Sequence, residues 1–444
     1  MKNIKYALWV LLLSLIALWC LADTLLPKQL TYFTFRNVFV QFTGTLAMGT
    51  MSAAMILAMR PKWLEPRLSG LDKMYRLHKW LGVTGLVIAI NHWWWAQGTK
   101  WMVGWGWLPR PQRGRFGQQS LGLIEGWFLS QRRFAESLAE WVFYAAVVLI
   151  VLALIKRFPY NLFQKTHKLL AAGYLVLVFH AVVLVKFSYW SQPVGWLLAL
   201  LMLGGTLSAV LTLLNRVGGS RKTRGIVESL VYYPNLRTLQ TSIKLQNGWM
   251  GHSAGQFAFV TSDKKEGAHP YTIASAWDTT EKRLVFIIKA LGDNTSKLHQ
   301  SLKVGDTLTV EGPYGCFDFQ DDKKRQIWVG GGIGITPFIA RMKHLAQTPG
   351  QQEIDLFYTT ADFNQEFIDK LTADAKAASV RLHVLIDSKD GLLNADRIRA
   401  AVPEWQSSSL WFSGPVAFKD ALRDGFVKMG LSSSDFHQEL FEMR

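Results

Sequence analysis

The sequence predicts a multi-domain protein: a six-helix transmembrane bundle over residues 1–217, an antiparallel β-barrel over 218–322 and an α/β domain over 323–444. Three observations predict it. Apolar runs of membrane-crossing length lie almost entirely before residue 215. After Gly218-Gly219 the chain turns to short β-rich segments separated by Gly, Asp and Asn. Beyond residue 322, strand-like and helix-like stretches alternate, which is the pattern of a parallel sheet.

Six spans are predicted, at 6–26, 38–59, 77–97, 138–155, 168–187 and 195–214. The first follows Lys2 and Lys5, is too long for a signal-peptide core and lacks a convincing cleavage site, so it reads as an anchor. With the N-terminus inside, the inner loops 60–76, 156–167 and 215–225 gather basic residues such as Arg60, Arg67, Lys73, Lys156, Arg216 and Arg224. The net charge of +17 is therefore assigned to membrane topology, and nucleic acid is not an expected partner. The long outer segment 98–137 also holds Lys100, Arg110, Arg113, Arg115, Arg132 and Arg133, but long loops follow the charge rule weakly. Nineteen Trp and twenty-six Phe suit interfacial aromatic belts in a lipid bilayer. The expected location is the plasma membrane, a bacterial inner membrane, with the soluble domains cytoplasmic. Cys20 and Cys316, the two cysteines, cannot build a disulfide framework, a zinc ribbon or an iron–sulfur cluster.

Two of the spans each carry a pair of histidines. His78 and His92 are fourteen residues apart, and His167 and His180 thirteen. At ~1.5 Å per residue either pair covers roughly 20 Å, most of a hydrocarbon core about 30 Å thick. Titratable side chains at that depth are costly and need a purpose. Facing pairs on two helices supply one: two stacked haems, each held between imidazoles, with all four histidines as iron ligands. Fourteen residues close on nearly whole helical turns, whereas thirteen do not. The second helix is thus expected to be irregular near Gly173, or the haems to be rotated relative to each other. Gly82, Gly85 and Gly173 would leave room for a flat macrocycle.

In the soluble half, Gly330-Gly331-Gly332-Ile333-Gly334-Ile335-Thr336-Pro337 follows a predicted strand and opens a helix, an arrangement that lets backbone approach a pyrophosphate. The G-x-G-x-x-G fingerprint is not met, because Pro337 stands at its third glycine. Strands are expected at 256–261, 284–290, 307–311, 326–329, 354–358 and 381–385, and helices at 335–346, 364–378 and 416–429.

His269-Pro270-Tyr271-Thr272-Ile273-Ala274-Ser275 resembles the flavin-binding motif of the NADPH oxidase and ferric reductase superfamily. Lys289…Gly292-Asp293-Asn294-Thr295 and Gly312-Pro313-Tyr314-Gly315 follow in that family's order, and the histidine spacings match its haem motif. The resemblance covers essentially the whole chain. It implies a ferredoxin-reductase-like FAD barrel and nucleotide domain behind the haem bundle, with FAD, two haem b and NADPH (or NADH) as cofactors. His269, Pro270, Tyr271, Thr272 and Ser275 would hold the flavin, with Thr272 near its reactive nitrogen. Lys289, Gly292 and Thr295 would meet the FAD phosphates and ribose, and Gly312 would also be cofactor-binding. Gly331, Gly332, Gly334, Thr336 and Pro337 would cradle the nicotinamide dinucleotide beside Ser413-Gly414-Pro415, where serine replaces the family's cysteine. Phe441, in the ending Glu439–Arg444, would cover the isoalloxazine until nicotinamide displaces it. Family members often carry an Arg for the 2′-phosphate near Tyr358–Asp362; here Arg341 or Arg381 would have to serve, and NADPH is expected ahead of NADH.

The implied activity is electron transfer from cytoplasmic NAD(P)H through FAD and two bis-histidine haems to an outer acceptor, without an obligatory activating subunit. Oxygen, giving superoxide, ranks first, with Arg36 pairing a haem propionate or stabilising reduced oxygen. Ala96 stands four residues after His92, where animal oxidases carry another histidine. A ferric chelate drawn by the basic outer segment is the alternative, and delivery to a periplasmic partner protein a third reading.

Overall fold

The computed structural model describes residues 1–110, 122–155, 157–263 and 265–439; Arg113, Arg115, Lys156 and Phe441 lie outside them. The chain divides into two compact units that part between Val217 and Gly218. In the first, the long helices are α1 (Lys2–Ala22), α2 (Tyr32–Ala58) and α3 (Leu71–Trp93), which runs through a π-turn (Trp94–Gly98) into the short α4 (Thr99–Gly104). Then come α5 (Leu123–Leu154), α6 (Tyr160–Leu184) and α7 (Pro193–Leu213).

Five of these helices are long and apolar enough to cross a membrane. The exception is α3, whose first turns carry Asp72, Lys73, Arg76 and Lys79. The largest departure from expectation is α5. It starts at Leu123, not 138, because helix-forming residues carry the turn periodicity back through Arg132 and Arg133. Half of the expected outer loop is therefore helix. The α6 helix passes through Gly173 without a break, so the thirteen-residue spacing is not absorbed there. Close packing of α2, α6 and α7 rests on small residues at crossings: Gly205 leaves the space that Tyr174 fills, and the Tyr174 hydroxyl meets Ser52 Oγ at 2.8 Å.

The second unit opens with an antiparallel sheet: β1 (Lys222–Tyr233), β2 (Thr238–Leu245), β3 (Phe257–Thr261), β4 (His269–Thr272), β5 (Arg283–Lys289) and β6 (Thr307–Tyr314), with α8 (Asp293–Ser301) between the last two. The order is β4-β3-β6-β1-β2-β5, and a bridge between Ile273 and Phe286 joins its ends, closing the barrel. In the hairpin of β1 and β2, residues 222–227 alternate between exposed and buried, the rest of β1 is mostly exposed and β2 is mostly buried. Val227, Ile243, Leu284, Phe286 and Val310 fill the interior.

The remainder is a parallel sheet, β11-β10-β7-β8-β9. Its strands are β7 (Arg325–Gly331), β8 (Glu353–Thr360), β9 (Arg381–Ile386), β10 (Ser409–Ser413) and β11 (Phe436–Gln438). Helices α9 (Thr336–Gln347), α10 (Gln365–Ala377), α11 (Asp387–Asp390), α12 (Ala395–Ala401) and α13 (Val416–Val427) connect them. Chain order reverses between β7 and β10, which places a crevice at the carboxyl ends of those two strands.

At the opposite, amino edge, the buried carboxylate of Asp355 accepts from Arg325 (2.9 Å), Arg381 (3.0 Å) and His383 (3.2 Å). Burial alone would push Asp355 up, but the His383 hydrogen bond and the two guanidiniums outweigh it and hold it below the ordinary value. A depressed carboxylate stabilises the fold above its unfolded pKa, about 3.9, and loses that contribution as pH falls through the folded value. Asp355→Asn is therefore expected to lower stability at pH 7 by roughly 3 kcal/mol. It should also flatten the acid limb of a stability–pH curve below about pH 4, as read by thermal unfolding.

Candidate functional site

The four histidines lie where α3 and α6 offer them, and each is only half-buried. Three are held through Nδ1. His78 donates to the carbonyl of Ala54 at 2.9 Å, His92 to that of Val40 at 3.0 Å, and His180 to that of Ala135 at 3.1 Å. A carbonyl only accepts, so Nδ1 carries the proton and Nε2 keeps its lone pair, as a metal-binding imidazole requires. Both orienting carbonyls for α3 come from α2, at positions 40 and 54, fourteen apart like the histidines they hold. Thr43, whose hydroxyl donates to Phe39 O at 2.8 Å, leaves its oxygen 3.2 Å from His92 Nδ1. Gly44 keeps the next space clear, since a Cβ there would come 3.2 Å from His92 Cε1. His167 differs: its Nδ1 is buried without a hydrogen-bond partner, and Phe163 stacks on its ring at 5.1 Å.

The ring centres of His78 and His167 are 5.9 Å apart. An iron between two imidazoles needs about 6 Å, two bonds of roughly 2 Å plus the reach from each ring centre to its nitrogen. His180 lies close enough to His92 to interact with it electrostatically. Among the described residues no group of three or more His, Cys, Asp or Glu gathers to hold an ion. Pairs of imidazoles without further ligands suit the two axial positions of a metal that brings its own macrocycle, so the residues present fit haem. Of the three glycines, Gly82 faces open space, whereas Gly85 meets Thr50 and Gly173 meets Val142. Those two serve helix packing instead.

Arg36 is held by three hydrogen bonds to neighbouring groups of the protein. Its Nε and one terminal nitrogen donate to the carbonyls of Trp95 (3.3 Å) and Ala96 (3.2 Å), and the other to Asn37 Oδ1 (3.1 Å). These carbonyls belong to the π-turn, where the wider winding disturbs the α-helical ladder. Arg36 thus holds the turn that follows His92. Arg36→Met is expected to cost about 2 kcal/mol, the scale of hydrogen bonds to a charged donor. The readout is a lower midpoint for loss of helical circular dichroism on heating the purified protein.

On the barrel, β4 places His269, Pro270, Tyr271 and Thr272 in one half-buried strip beside β3. Tyr271 stacks on His269 and meets Phe286 edge-on, and burial pushes its phenol up. Ser275 is buried in the ladder instead: its hydroxyl accepts from Val285 N at 3.1 Å and its carbonyl from His252 Nε2 at 2.9 Å. His252, pushed down to about 4 by burial, is neutral at pH 7 and keeps Nδ1 without a partner. Nothing in its sequence context singled it out. Lys289 is ion-paired with Asp362 at 2.6 Å, across from β5 to the loop after β8. Gly292 opens α8, and Thr295 Oγ1 accepts from the backbone N–H of Leu291 and Gly292, each at 3.0 Å. Gly312 packs within 3.3 Å of where a Cβ would meet Trp249, Ala258 and Phe257. Arg221, absent from the sequence-derived set, donates to Pro313 O at 2.9 Å and lies over the Tyr314 ring.

At the carboxyl edge of the parallel sheet, the glycine turn after β7 and the Ser413-Gly414-Pro415 loop after β10 pack directly together. A Cβ on Gly331 would meet Pro415, one on Gly334 would land on the Ser413 carbonyl, and one on Gly414 would meet Gly331. Gly332, at φ +55°, faces open space. Ser413 Oγ is wholly buried there without a hydrogen-bond partner, an orphaned group at the mouth of the crevice. Thr336 and Pro337 turn inward; the Thr336 hydroxyl donates to Ile333 O at 2.8 Å and shapes the first turn of α9. Neither arginine proposed for a 2′-phosphate stands at this edge. Arg381 begins β9 at the amino end, bound to Asp355, and Arg341 lies over Phe319 from the middle of α9.

Comparison with known proteins agrees with this division. The family described as "Ferric reductase like transmembrane component" matches residues 43–178, and the family described as "FAD-binding domain" matches residues 226–318. The carnitine monooxygenase reductase subunit of Escherichia coli (strain K12) is 29% identical over 147 residues, 32% of this chain and 43% of that protein. A flavohemoprotein of Pseudomonas putida is 26% identical over 190 residues, 40% and 48%. The ferredoxin reductase component of 3-ketosteroid-9-alpha-monooxygenase from Rhodococcus rhodochrous is 29% identical over 194 residues, 42% and 55%. The chain thus spans about half the length of the curated relatives it matches.

Proposed function

We propose that this chain, which has the ferric-reductase-like transmembrane domain and FAD-binding domain of the NADPH oxidase/ferric reductase architecture, moves electrons from NAD(P)H to an acceptor across the membrane. It is an oxidoreductase with a membrane component and a ferredoxin-reductase-like FAD/NAD domain. The finer reading is a six-helix bundle, with α3 as the sixth span, that holds two b haems stacked between His78/His167 and His92/His180. Flavin, when bound, converts the two-electron hydride donor to the one-electron haems. The His269–Thr272 strip orients the isoalloxazine, with Thr272 nearest its reactive nitrogen. The turn of α8 at Gly292 receives phosphate. Gly332 and Ser413 line the approach of nicotinamide. Basic inner loops support cytoplasmic soluble domains and a bacterial inner membrane.

The observation that carries the reading is the matched set of Nδ1–H···O=C bonds at His78, His92 and His180, which leaves Nε2 of those three imidazoles as a ligand atom. His78, His92, His167 and His180 would hold the two haems, which would supply one-electron transfer to an acceptor that does not itself bind iron. Beside the π-turn after His92 stand Phe35, Phe39 and Trp95, ring to ring at 5.2–5.4 Å. An aromatic lining with the Arg36 donors already engaged favours a small uncharged acceptor, and oxygen giving superoxide is the leading assignment. A ferric chelate is the second reading, favoured by the exposed Arg110, Arg132 and Arg133. Delivery to a periplasmic protein is the third, favoured by the exposed Trp105 and Trp107.

Purified protein with NADH or NADPH separates them. Dismutase-sensitive cytochrome c reduction is the expected result. Oxygen-independent loss of ferric chelate would replace it with the second reading, and inactivity toward both with the third.

A further inference from the structure

The adenosine end of the dinucleotide site separates the two nicotinamide donors. With the pyrophosphate at the glycine turn after β7, the adenosine ribose comes over the carboxyl end of the neighbouring β8. That end is Thr359 and Thr360, both buried. Thr359 Oγ1 donates to Asp387 Oδ1 at 2.7 Å, and Asp387 is the first residue beyond β9, half-buried against the same edge. Thr360 closes the next turn, its hydroxyl donating to Asp362 O at 3.1 Å and accepting from Asp362 N at 3.2 Å. Asp390 caps β9, accepting from Ile386 N at 2.8 Å.

The cations here are few or engaged. Lys289 is held by Asp362, one terminal nitrogen of Arg397 donates to the carbonyls of Asp390, Gly391 and Leu392, and Lys389 lies over the Phe363 ring at 4.2 Å. Arg325 and Arg381 serve Asp355 at the far edge. A 2′-phosphate, with a charge near −2, would arrive beside a fixed carboxylate, whereas a ribose 2′-hydroxyl has a proton to donate to it.

We propose that Asp387, positioned by Thr359, accepts the 2′-hydroxyl of the adenosine ribose and makes NADH the preferred donor over NADPH. This rests on the reading of residues 218–441 as the NAD(P)H-oxidising unit and reverses the nucleotide preference that the family resemblance implies. Thr359 is a positioning residue; Asp387 touches the nucleotide.

The test uses the full-length protein in detergent with FAD bound, in two measurements. Anaerobic stopped-flow follows flavin reduction by NADH and NADPH, and competition for the site is measured with 5′-AMP and adenosine 2′,5′-bisphosphate. NADH is expected to half-saturate at a concentration at least about tenfold lower than NADPH, and 5′-AMP to compete better than the bisphosphate. Asp387→Asn should narrow both preferences at least about fivefold. Thr359→Val should weaken NADH half-saturation while leaving the limiting rate of flavin reduction unchanged. Lys389→Ala should leave the preference in place. Tighter NADPH in the wild type, or a preference untouched by Asp387→Asn, overturns the assignment. Failure of both nucleotides to reduce a flavin that dithionite reduces overturns the donor reading itself, and the assignment with it.

Discussion

Replacing His92 with leucine is expected to leave one haem per chain instead of two. Transfer to an outside acceptor should fall by about 100-fold or more, since loss of an outer-shell partner alone costs 10–100-fold. His92 is the most fully supported of the four proposed ligands: Val40 O and Thr43 Oγ1 lie against Nδ1, and Gly44 clears the flank. Leucine keeps the helix and fills similar volume, so α3 should still form. Flavin reduction by NADH should be unchanged, because no residue of the soluble unit is touched. Haem per chain, read as the pyridine complex, and the rate of cytochrome c reduction check both halves. Retention of two haems in the variant would remove His92 from the ligand set.

Gly334→Val should have the opposite signature, two haems retained and flavin reduction lost. The new Cβ would land on the Ser413 carbonyl, and the Cα of Gly331 already packs against Gly414. The glycine turn must then back away from the Ser413 loop. A displacement of about 1 Å between reacting partners costs roughly 100-fold, and overpacking adds ~1–3 kcal/mol of destabilisation. Anaerobic flavin reduction by NADH is expected to slow by about that factor, while dithionite still reduces flavin and haem fully. A variant reduced at the wild-type rate would show that the two loops need not touch for hydride transfer.

These two variants rest on features of unequal visibility in the sequence. The histidine pairs were visible because imidazoles are rare in long apolar stretches and because the fourteen-residue spacing of His78 and His92 follows helix pitch. What holds them was not, since the carbonyls of Ala54, Val40 and Ala135 belong to residues with no chemical signature. The expected kink at Gly173 is absent because Gly173 meets Val142 in an unbroken helix. The start of α5 was missed because hydropathy marks only its apolar part, whereas helix propensity carries it to Leu123. In the soluble unit the parallel strands and the glycine turn were legible from alternation and from turn residues. The protein partners of Lys289, Ser275 and Thr336, namely Asp362, the barrel ladder and the first turn of α9, were not legible from the motifs that mark these residues. For Arg36, only the π-turn at Trp94–Gly98 reveals the carbonyls it satisfies.

The measurement that bears most directly on the four imidazoles is magnetic circular dichroism in the near infrared on the oxidised, haem-supplemented protein, taken with the haem-to-chain ratio. Two haems per chain, both low-spin with bis-imidazole ligation, is the result expected here. A ratio of zero or one, or a high-spin iron with a vacant axial position, would contradict it.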